Sequence, residues 1–324
     1  MPQGITGQVT TYNSPNYVGE LFNVSPEDTP LLSSIGGLTG GESTGSTLFE
    51  WQYHDLRDAE TARQRLEGAD APDGAGRTRA RAYNVVEIHQ EAIEVSYTKQ
   101  GTTQQRNTDG APVVPIGNTV IPADELFWQI QQELKAKARD IERTFIEGTF
   151  QNPTDNTTPR RTRGLLEAIE TNVATVATGD FNEEAILDVF QLAWENGGIQ
   201  EAETRTVIVN AALKRRLTQV FIRERGYTEE TRNVGGVNLQ TFETDFGRAN
   251  IMLNRWMPND QLVVASLEEL APRFLEIPGK GHFFVEPLAK VGAADKVQLY
   301  GEIGLKYGNE RKHAKLVIEG GEAA

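Results

Sequence analysis

The pentapeptide Gly41-Glu42-Ser43-Thr44-Gly45 has the spacing of a nucleophile elbow, in which a serine attacks an acyl group. That turn requires a buried strand before the serine and a helix after it. Here a run rich in Gly, Ser and Thr precedes Ser43 and a strand-like segment follows, so the composition favours a linker. An intracellular α/β hydrolase that uses Ser43 is kept as an alternative hypothesis.

The four histidines do not form a metal site in the sequence. They are scattered, at His54, His89, His282 and His313, and none stands in an H-E-x-x-H spacing. Gly279 and Gly281 begin a dinucleotide-type turn but lack its third glycine and its helix. The sequence therefore predicts no cofactor, no metal and no enzyme activity.

Composition permits a sizeable core and argues against several classes of protein. The chain has 324 residues, of which 38% are apolar and 24% charged, with no cysteine and a formal net charge of −14. An acidic chain is poorly suited to tight nucleic-acid binding, which depends on Lys and Arg neutralising phosphates. No apolar run is long enough to span a membrane, and the first residues lack the features of a secretory signal. We expect a protein that is made and assembled in a reducing cytoplasm.

The clearest periodic pattern is a long amphipathic helix, predicted over residues 122–150. Its apolar residues recur at spacings of three and four, at Leu126, Ile130, Leu134, Ala138, Ile141 and Phe145. Pro122 suits a first helical position, and Gly148 suits the end. At 1.5 Å per residue such a helix is on the order of 40 Å long, which favours an elongated protein.

Residues 1–45 are predicted to form an arm with no core of its own. Gly, Ser, Thr, Asn and Pro dominate, and the apolar clusters are limited to residues 18–22 and 31–35. Ordering a residue costs roughly 1–2 kcal/mol of backbone entropy, which so few apolar groups cannot offset within one subunit. We therefore expect the arm to have few intrachain contacts and to lie across neighbouring copies of the chain.

Two predicted strands flank a long charged loop. Alternation in Thr47–Tyr53, and a second pattern with a central break in Tyr83–Tyr97, predict an extended β-hairpin over residues 46–99. The intervening loop holds six acidic residues and six arginines, so it is not a basic patch for phosphates. Its charges either lie in a solvated, disordered loop or meet opposite charges on a neighbouring copy and set the register. The candidate inter-subunit contacts are Arg57, Arg63, Arg65, Glu67, Asp70, Arg77, Arg79 and Arg81.

The second half of the chain has an α/β pattern. Two helices are predicted to begin after the capping residues Asn182 and Asn210. Short strands are predicted at 206–209, 251–254 and 262–265, with a hairpin turn at Gly235-Gly236. Alternation from Val297 to Tyr307 predicts one long strand, which turns at Gly308-Asn309 and returns through residues 316–318.

Taken in order, these elements resemble the major capsid proteins of tailed double-stranded DNA phages of the Hong Kong 97 type. The arm, the charged hairpin and the long helix are similar to the N-terminal arm, extended loop and spine helix of that family. Local sequence is also similar to the family's, at Ser25-Pro26-Glu27-Asp28-Thr29-Pro30-Leu31-Leu32, Phe49-Glu50-Trp51-Gln52, Glu67-Gly68-Ala69-Asp70, Arg163-Gly164-Leu165-Leu166, Phe242–Gly247, Asn254–Pro258 and Gly301–Leu305.

The resemblance implies an α+β fold of the Hong Kong 97 capsid type. Its parts would be an N-terminal arm (1–45), an extended β-hairpin loop (46–99), a peripheral domain with the spine helix (100–175), an axial α/β domain (176–285) and return strands (286–324). The implied function is that of a structural major capsid protein, whose hexamers and pentamers self-assemble into an icosahedral phage head around double-stranded DNA.

The resemblance also implies the partners and the location. The chain would bind copies of itself, a scaffolding protein, a portal and, in some heads, a decoration protein. It would enclose DNA without sequence-specific binding and would not contact a membrane. The protein would be found in the virion after assembly in the cytoplasm of a bacterial host. An encapsulin-like nanocompartment with an enzyme cargo has the same architecture and is a second hypothesis.

Two departures from the family pattern affect these expectations. Some relatives crosslink through a lysine in the extended loop, but residues 55–81 contain none and the first lysine is Lys99. Some relatives carry a large N-terminal scaffolding segment that a protease removes, whereas this sequence begins with the arm. We therefore expect no crosslink through the loop, and a scaffold that is a separate protein.

Overall fold

The computed structural model describes residues 28–54, 56, 59–71, 73–74, 76–99, 113–116, 119–122, 125–155, 157–200, 205–224, 241–289 and 291–320. Most of the predicted arm and the predicted turn at Gly235-Gly236 lie outside these ranges. The described residues form an α+β fold in which an apolar core lies between a long helix and two sheets.

The strands of the described residues are β1 Glu42–Thr44, β2 Leu48–Tyr53, β3 Ala80–Val85, β4 Glu87–Ser96, β5 Val113–Ile116, β6 Thr119–Pro122, β7 Val173–Ala177, β8 Arg205–Val209, β9 Thr241–Thr244, β10 Gly247–Leu253, β11 Gln261–Ser266, β12 Ala271–Leu275, β13 Phe283–Pro287, β14 Ala294–Lys306 and β15 Ala314–Glu319. The α-helices are α1 Pro30–Ser34, α2 Glu125–Glu147, α3 Leu165–Ala168, α4 Glu183–Glu195 and α5 Ala211–Thr218. A π-helical segment, Gln219–Glu224, continues α5, and short 3-10 helices occur at Thr178–Asp180, Leu267–Glu269 and Glu310–Lys312.

The long strand β14 is the centre of the first sheet. Strand β4 pairs antiparallel along one edge of β14, from Ala294↔Ser96 to Ile303↔Glu87. Strands β12 and β13 pair along the other edge, and β1 adds to β12 in parallel. The break predicted in the Tyr83–Tyr97 pattern is confirmed, because the chain leaves β3 at Val86 and enters β4. Strand β3 pairs with β2, so the predicted hairpin is also present.

The second sheet has six strands, in the order β7-β15-β11-β8-β10-β9. Its strand β8 is buried on both faces, which explains why three consecutive apolar residues, Val207 to Val209, end it. Val207 and Val209 pack against helices α4 and α5, whereas Ile208 faces the core beside α2. The predicted caps are confirmed, since the side chains of Asn182 and Asn210 each accept a backbone hydrogen bond in the first turn of α4 and α5.

Helix α2 lies within the range predicted for it, 122–150, but begins later than expected. Pro122 is not its first residue. It instead ends strand β6, at the end of the short β5–β6 ladder where a missing N–H is tolerated. Near the end of α2, Ile141 and Phe145 are completely buried. Gly148 follows, where an added Cβ would lie 2.7 Å from the carbonyl oxygen of Thr162.

The strand after β14 joins the other sheet. A 3-10 turn at Glu310–Lys312 leads into β15, which pairs with β7 and β11 and not with β14. The predicted return through residues 316–318 is therefore a strand, but it does not fold back onto the strand before it. The consequence is that residues 294–319 connect the two sheets directly.

Candidate assembly surface

Trp51 attaches strand β2 to the turn that follows β14. Its Nε1–H donates to the carbonyl oxygen of Gly308 at 2.6 Å, and its ring meets the Tyr307 ring edge-on, with centroids 4.8 Å apart. Phe49 lies on the same side of β2 and is buried, with its ring centroid 5.8 Å from that of Trp51. The alternation predicted in β2 is therefore confirmed, although Trp51 itself is only half-buried.

Asn84 fastens strand β3 to the same region. Its amide group donates to the carbonyl oxygens of Arg163 and Leu305, at 3.0 and 2.7 Å, and accepts from the N–H groups of Arg163 and Val85, at 2.8 and 2.9 Å. This uses both donors and both acceptor positions of a fully buried primary amide. The sequence interpretation did not single out Asn84. The only sequence feature that could have indicated a buried Asn84 was its position directly before the apolar pair Val85-Val86.

Beyond this fixed base the described part of the hairpin is exposed to solvent. Every described residue from His54 to Arg81 is exposed, in contrast to Asn84, Val85 and Val86. Leu56 and Leu66 are 81% and 86% exposed. A backbone turn closes near the middle of this segment, where the N–H of Ala69 donates to the carbonyl oxygen of Leu66 at 3.1 Å. The loop is therefore a projection with apolar side chains that its own chain does not cover.

The eight predicted contact residues differ in their surroundings. Arg57 lies outside the described residues. Arg63 pairs with Glu60 at 3.0 Å, Arg81 with Glu50 at 3.4 Å, and Arg79 donates to Gln52 at 3.2 Å. These contacts are local or cross-strand, and exposed pairs of this kind are worth only about 0–1 kcal/mol.

The remaining four candidates have no ion pair or hydrogen bond of their side chains within the described part of the chain. They are Arg65, Glu67, Asp70 and Arg77. All four side chains are exposed. The structure does not bring the eight residues together into one cluster, because they are spread along an extended loop.

Helix α1 shows that part of the arm belongs to its own subunit. Leu31 and Leu32 are buried, and their N–H groups donate to the carboxylate of Glu142 on α2 at 2.8 and 2.6 Å. Asn254 donates to the same carboxylate. The expectation of few intrachain contacts is therefore wrong for residues 28–44, because a buried acceptor satisfies the first N–H groups of a short helix.

Strand β1 continues this attachment. Glu42–Thr44 pairs with Arg273–Leu275 of β12, and the side chains of Glu42 and Arg273 form an ion pair. Ser43 is thus in the middle of an edge strand, and strand β2 follows it, not a helix. Its Oγ is 2.8 Å from Nε2 of His282, at an exposed position. The strand-to-helix turn that a nucleophile elbow requires is not formed here.

A network of charged and polar groups crosses the sheet near the base of the hairpin. Arg160 pairs with Glu302 at 2.8 Å, and the hydroxyl of Tyr300 donates to the same carboxylate at 2.7 Å. Burial, together with this carboxylate, raises the pKa of Tyr300 to about 12. Nearby, a cleft of about 400 Å³ opens beside the end of α2, and its lining includes Arg143, Arg160 and Arg161. These groups hold β14 and the loop before α3 in a fixed relation.

Two kinds of site do not occur in the described residues. Nowhere in these ranges do three His, Cys, Asp or Glu side chains come together as metal ligands. Within the same ranges, no helix has the length and apolar character needed to cross a membrane.

Comparison with known proteins decides the family. The model of the SU10 major capsid protein family matches residues 4–319, which is nearly the whole chain. The chain belongs to the SU10 major capsid protein family. The prediction of a phage capsid protein is thereby confirmed, and with it a structural role for this SU10-type chain.

Individual relatives of this SU10-type chain agree in sequence and fold. The major capsid protein of Escherichia phage Phieco32 is 23% identical to it, over 93% of each chain. The capsid subunit of Cyanophage A-1(L) has a TM-score of 0.62 at 13% identity, covering 93% of this chain and 95% of its own. The SrpI encapsulin of Synechococcus elongatus has a TM-score of 0.54 at 11% identity, covering 94% and 91%. The expected Hong Kong 97 type capsid fold is confirmed by these likenesses.

Proposed function

We propose that copies of this chain associate into hexamers and pentamers, which close into an icosahedral head around double-stranded DNA. The observation that carries the proposal is the contrast within the hairpin. Its base is fixed by Trp51 and Asn84, whereas the described residues from 54 to 81 are exposed. A rigid base with an uncovered apolar and charged projection suits contact with a neighbouring subunit.

The charged residues of the loop would set register between copies. The strongest candidates are Arg65, Glu67, Asp70 and Arg77, which have no partner among the described residues, with Arg57, Arg63, Arg79 and Arg81 as further contacts. Exposed charge pairs add little affinity, but they favour one alignment of two surfaces over others. The apolar Leu56 and Leu66 would add burial to this contact.

The net charge of −14 supports a container for DNA. A wall of the same sign as the phosphates holds the genome without adhering to it. We propose a virion location after assembly in the cytoplasm of a bacterial host. A separate scaffolding protein and a portal would take part in assembly, and a decoration protein would bind in some heads.

The test is a double charge reversal, Arg65→Glu with Arg77→Glu. Neither side chain has a partner in the described part of its own chain, so the circular dichroism of the subunit should not change. Particle yield, measured by sedimentation and electron microscopy, should fall. The matched control, Arg65→Lys with Arg77→Lys, keeps both charges and should assemble. Normal yield from the Glu variant would show that these two arginines have no role in assembly. A wild-type protein that forms only small oligomers even when its scaffolding protein is supplied would contradict assembly into closed heads.

An encapsulin-like shell is the second candidate, supported by the fold likeness to SrpI encapsulin. The contents of purified particles distinguish the two. Nuclease-protected double-stranded DNA supports the phage head, and an enclosed enzyme without DNA supports the nanocompartment.

A further inference from the structure

His313 is a completely buried histidine in the connection between the two sheets. This connection, residues 307–313, runs from the end of β14 to the start of β15 and includes a 3-10 turn. His54 is exposed, and His89 and His282 are partly exposed, so His313 differs from the other histidines of the chain. Its ring has no access to water and must find its hydrogen-bond partners within the protein.

Two backbone contacts determine the protonation state of the ring. Nε2 lies 3.0 Å from the carbonyl oxygen of Tyr307, which can only accept, so Nε2 carries the hydrogen. Nδ1 lies 3.3 Å from the backbone nitrogen of Ser266 and accepts its N–H. The neutral ring therefore joins the last residue of β11 to the first residue after β14. An imidazolium is a donor at both nitrogens, so a second proton, on Nδ1, would break the bond to Ser266.

Ser266 extends the effect of that bond into the second sheet. Its Oγ accepts from the N–H of Ile199 at 2.7 Å and donates to the carbonyl oxygen of Lys312 at 3.3 Å. Ile199 has a φ of 49°, which is a costly conformation for a β-branched residue and persists only where surrounding contacts hold it. A displaced Ser266 would therefore release one of the contacts that keep Ile199 in place.

Tyr307 extends the effect to the hairpin base. The carbonyl oxygen that accepts from His313 belongs to the same residue whose ring meets Trp51 edge-on. The next carbonyl oxygen, that of Gly308, accepts from the Trp51 indole. A movement of the backbone at residues 307–308 would therefore loosen the contact through which β2 is attached.

Several elements bring charged or titratable groups to this region. Those of the connection itself and of the 3-10 helix after β11 are Glu268, Glu269, Tyr307, Glu310, Arg311 and Lys312. The other packed elements contribute Arg163, which donates to the Tyr307 hydroxyl, Glu170 before β7, Glu195 at the end of α4, Arg205 on β8 and Lys315 on β15.

These groups do not offset the cost of a buried charge. Burial lowers the pKa of His313 below the usual 6.5, although the hydrogen bond with Tyr307 and the carboxylates of the two 3-10 helices oppose the shift. Glu269 already pairs with Lys312, and Glu310 accepts from the hydroxyl of Thr171 at 2.6 Å. A charged ring would have to compete for these carboxylates. The closed connection is therefore most stable above pH 6.5 and loses stability as the pH falls below it.

We propose that His313 is a proton-sensitive lock on the connection 307–313. The neutral ring holds the ends of β11 and β14 together. In mild acid a proton from solvent enters at Nδ1, the bond to Ser266 breaks, and the connection opens together with the hairpin base that Trp51 attaches to it. All of these contacts lie within one subunit, so the lock is independent of the proposed function.

Hydrogen exchange, followed by mass spectrometry on the unassembled subunit, tests the lock. An open connection binds the proton with the usual histidine pKa of 6.5, so its population should rise about tenfold between pH ~7.5 and ~5.5. After correction for the intrinsic rate, amides of residues 263–267, 307–313 and β2 should exchange faster by that factor, and those of α5 should not. His313→Gln is neutral at both pH values and should show no rise. His54→Gln, the matched control at an exposed site, should keep the wild-type ratio.

The ring itself provides a second measurement, on the wild type. With nitrogen-15 in the histidine rings, NMR at about pH 6 should show His313 as the neutral Nε2–H form, with signals assigned from single variants of each histidine. This result and the exchange ratio of the wild type decide the question if His313→Gln loses the wild-type circular dichroism.

Three results would overturn the proposal. They are equal corrected exchange of the wild type at the two pH values, the same rise in a folded His313→Gln variant, and a His313 ring that is charged at about pH 6 while the connection stays protected. Particles are not involved in either measurement, so a failure of the lock is distinguished from a failure of head assembly.

Discussion

The indole Nε1–H of Trp51 donates a hydrogen bond to the carbonyl oxygen of Gly308, 257 residues further along the chain. The ring also meets Tyr307 edge-on, so one hairpin side chain covers the turn that joins the two sheets. The hairpin base and the connection between the sheets therefore pack as one unit. A substitution that disrupts one of them should also destabilise the other.

Replacement of Trp51 tests this unit. Trp51→Ala should lower the free energy of unfolding by about 3 kcal/mol, the low end for a buried aromatic, because the ring is half exposed. Trp51→Phe should cost about 1 kcal/mol, for loss of the hydrogen bond. Urea unfolding followed by circular dichroism measures both. Trp194→Ala is the control, since Trp194 is 57% exposed. A Trp51→Ala cost no larger than that control would show that the contact contributes nothing to stability.

Replacement of Asn84 tests the second attachment. Asn84→Ala should cost about 3 kcal/mol, since each buried group that loses its partner costs about 1–3 kcal/mol. Amide hydrogen exchange in β2 and β3 should become faster, because these strands lose their link to Leu305 and Arg163. Asn152→Ala, at an exposed position, should change neither quantity. Unchanged exchange in β2 and β3 would contradict the role given to Asn84.

Gly304 tests how closely the hairpin approaches β14. A Cβ there would lie 2.6 Å from the carbonyl oxygen of Val85 and 2.8 Å from the Phe49 ring. Gly304→Ala should therefore destabilise the fold by about 1–3 kcal/mol, the usual cost of overpacking. Gly179→Ala is the matched control, because a Cβ at Gly179 meets no atom within 4 Å. Equal unfolding midpoints for the two variants would refute the close approach.

Glu142 should make stability depend on pH. Burial raises its pKa above the usual 4.5, although hydrogen bonds from Leu32, Leu31 and Asn254 oppose the shift. The folded chain therefore keeps this proton at pH values where the unfolded chain has lost it. The contribution of Glu142 is complete below 4.5 and is lost as the pH rises through the raised pKa.

The measurement is urea unfolding at a series of pH values from 4.5 upwards. The fall in stability just above that pH should be smaller in Glu142→Gln than in the wild type, because the variant cannot titrate. Glu276→Gln, at an exposed site, should keep the wild-type slope. Parallel curves for wild type and Glu142→Gln would show that Glu142 does not hold the proton.

Local patterns were sufficient to predict many elements of this fold. Asn182 and Asn210 predict the starts of α4 and α5, because an N-cap is a hydrogen bond between a side chain and a backbone N–H only three residues further on. The alternation of Phe49 and Trp51 likewise predicts one buried side of β2. Such signals lie within a few residues of the element that they define, so they can be seen in a single sequence.

Contacts between distant residues could not be predicted in this way. Nothing near Leu31 indicates that Glu142, 111 residues away, accepts its N–H. For the same reason the pattern predicted a turn at Gly308-Asn309 and a return through residues 316–318, but not that the returning strand pairs with β7 and β11. The sequence placed the charged residues in a loop between two strands, as the structure has it, but which of its arginines already have partners depends on the strand register of Glu50 and Gln52.

The pairing of β4 with β14 sets an order of events during synthesis on the ribosome. The side chain of Gln90 on β4 donates to that of Gln298 on β14, 208 residues later. The sheet that supports the hairpin therefore cannot form until most of the polypeptide has been translated. Contacts so distant in sequence also form late in folding. A nascent chain therefore cannot complete the sheet that supports the hairpin until β14 has been translated.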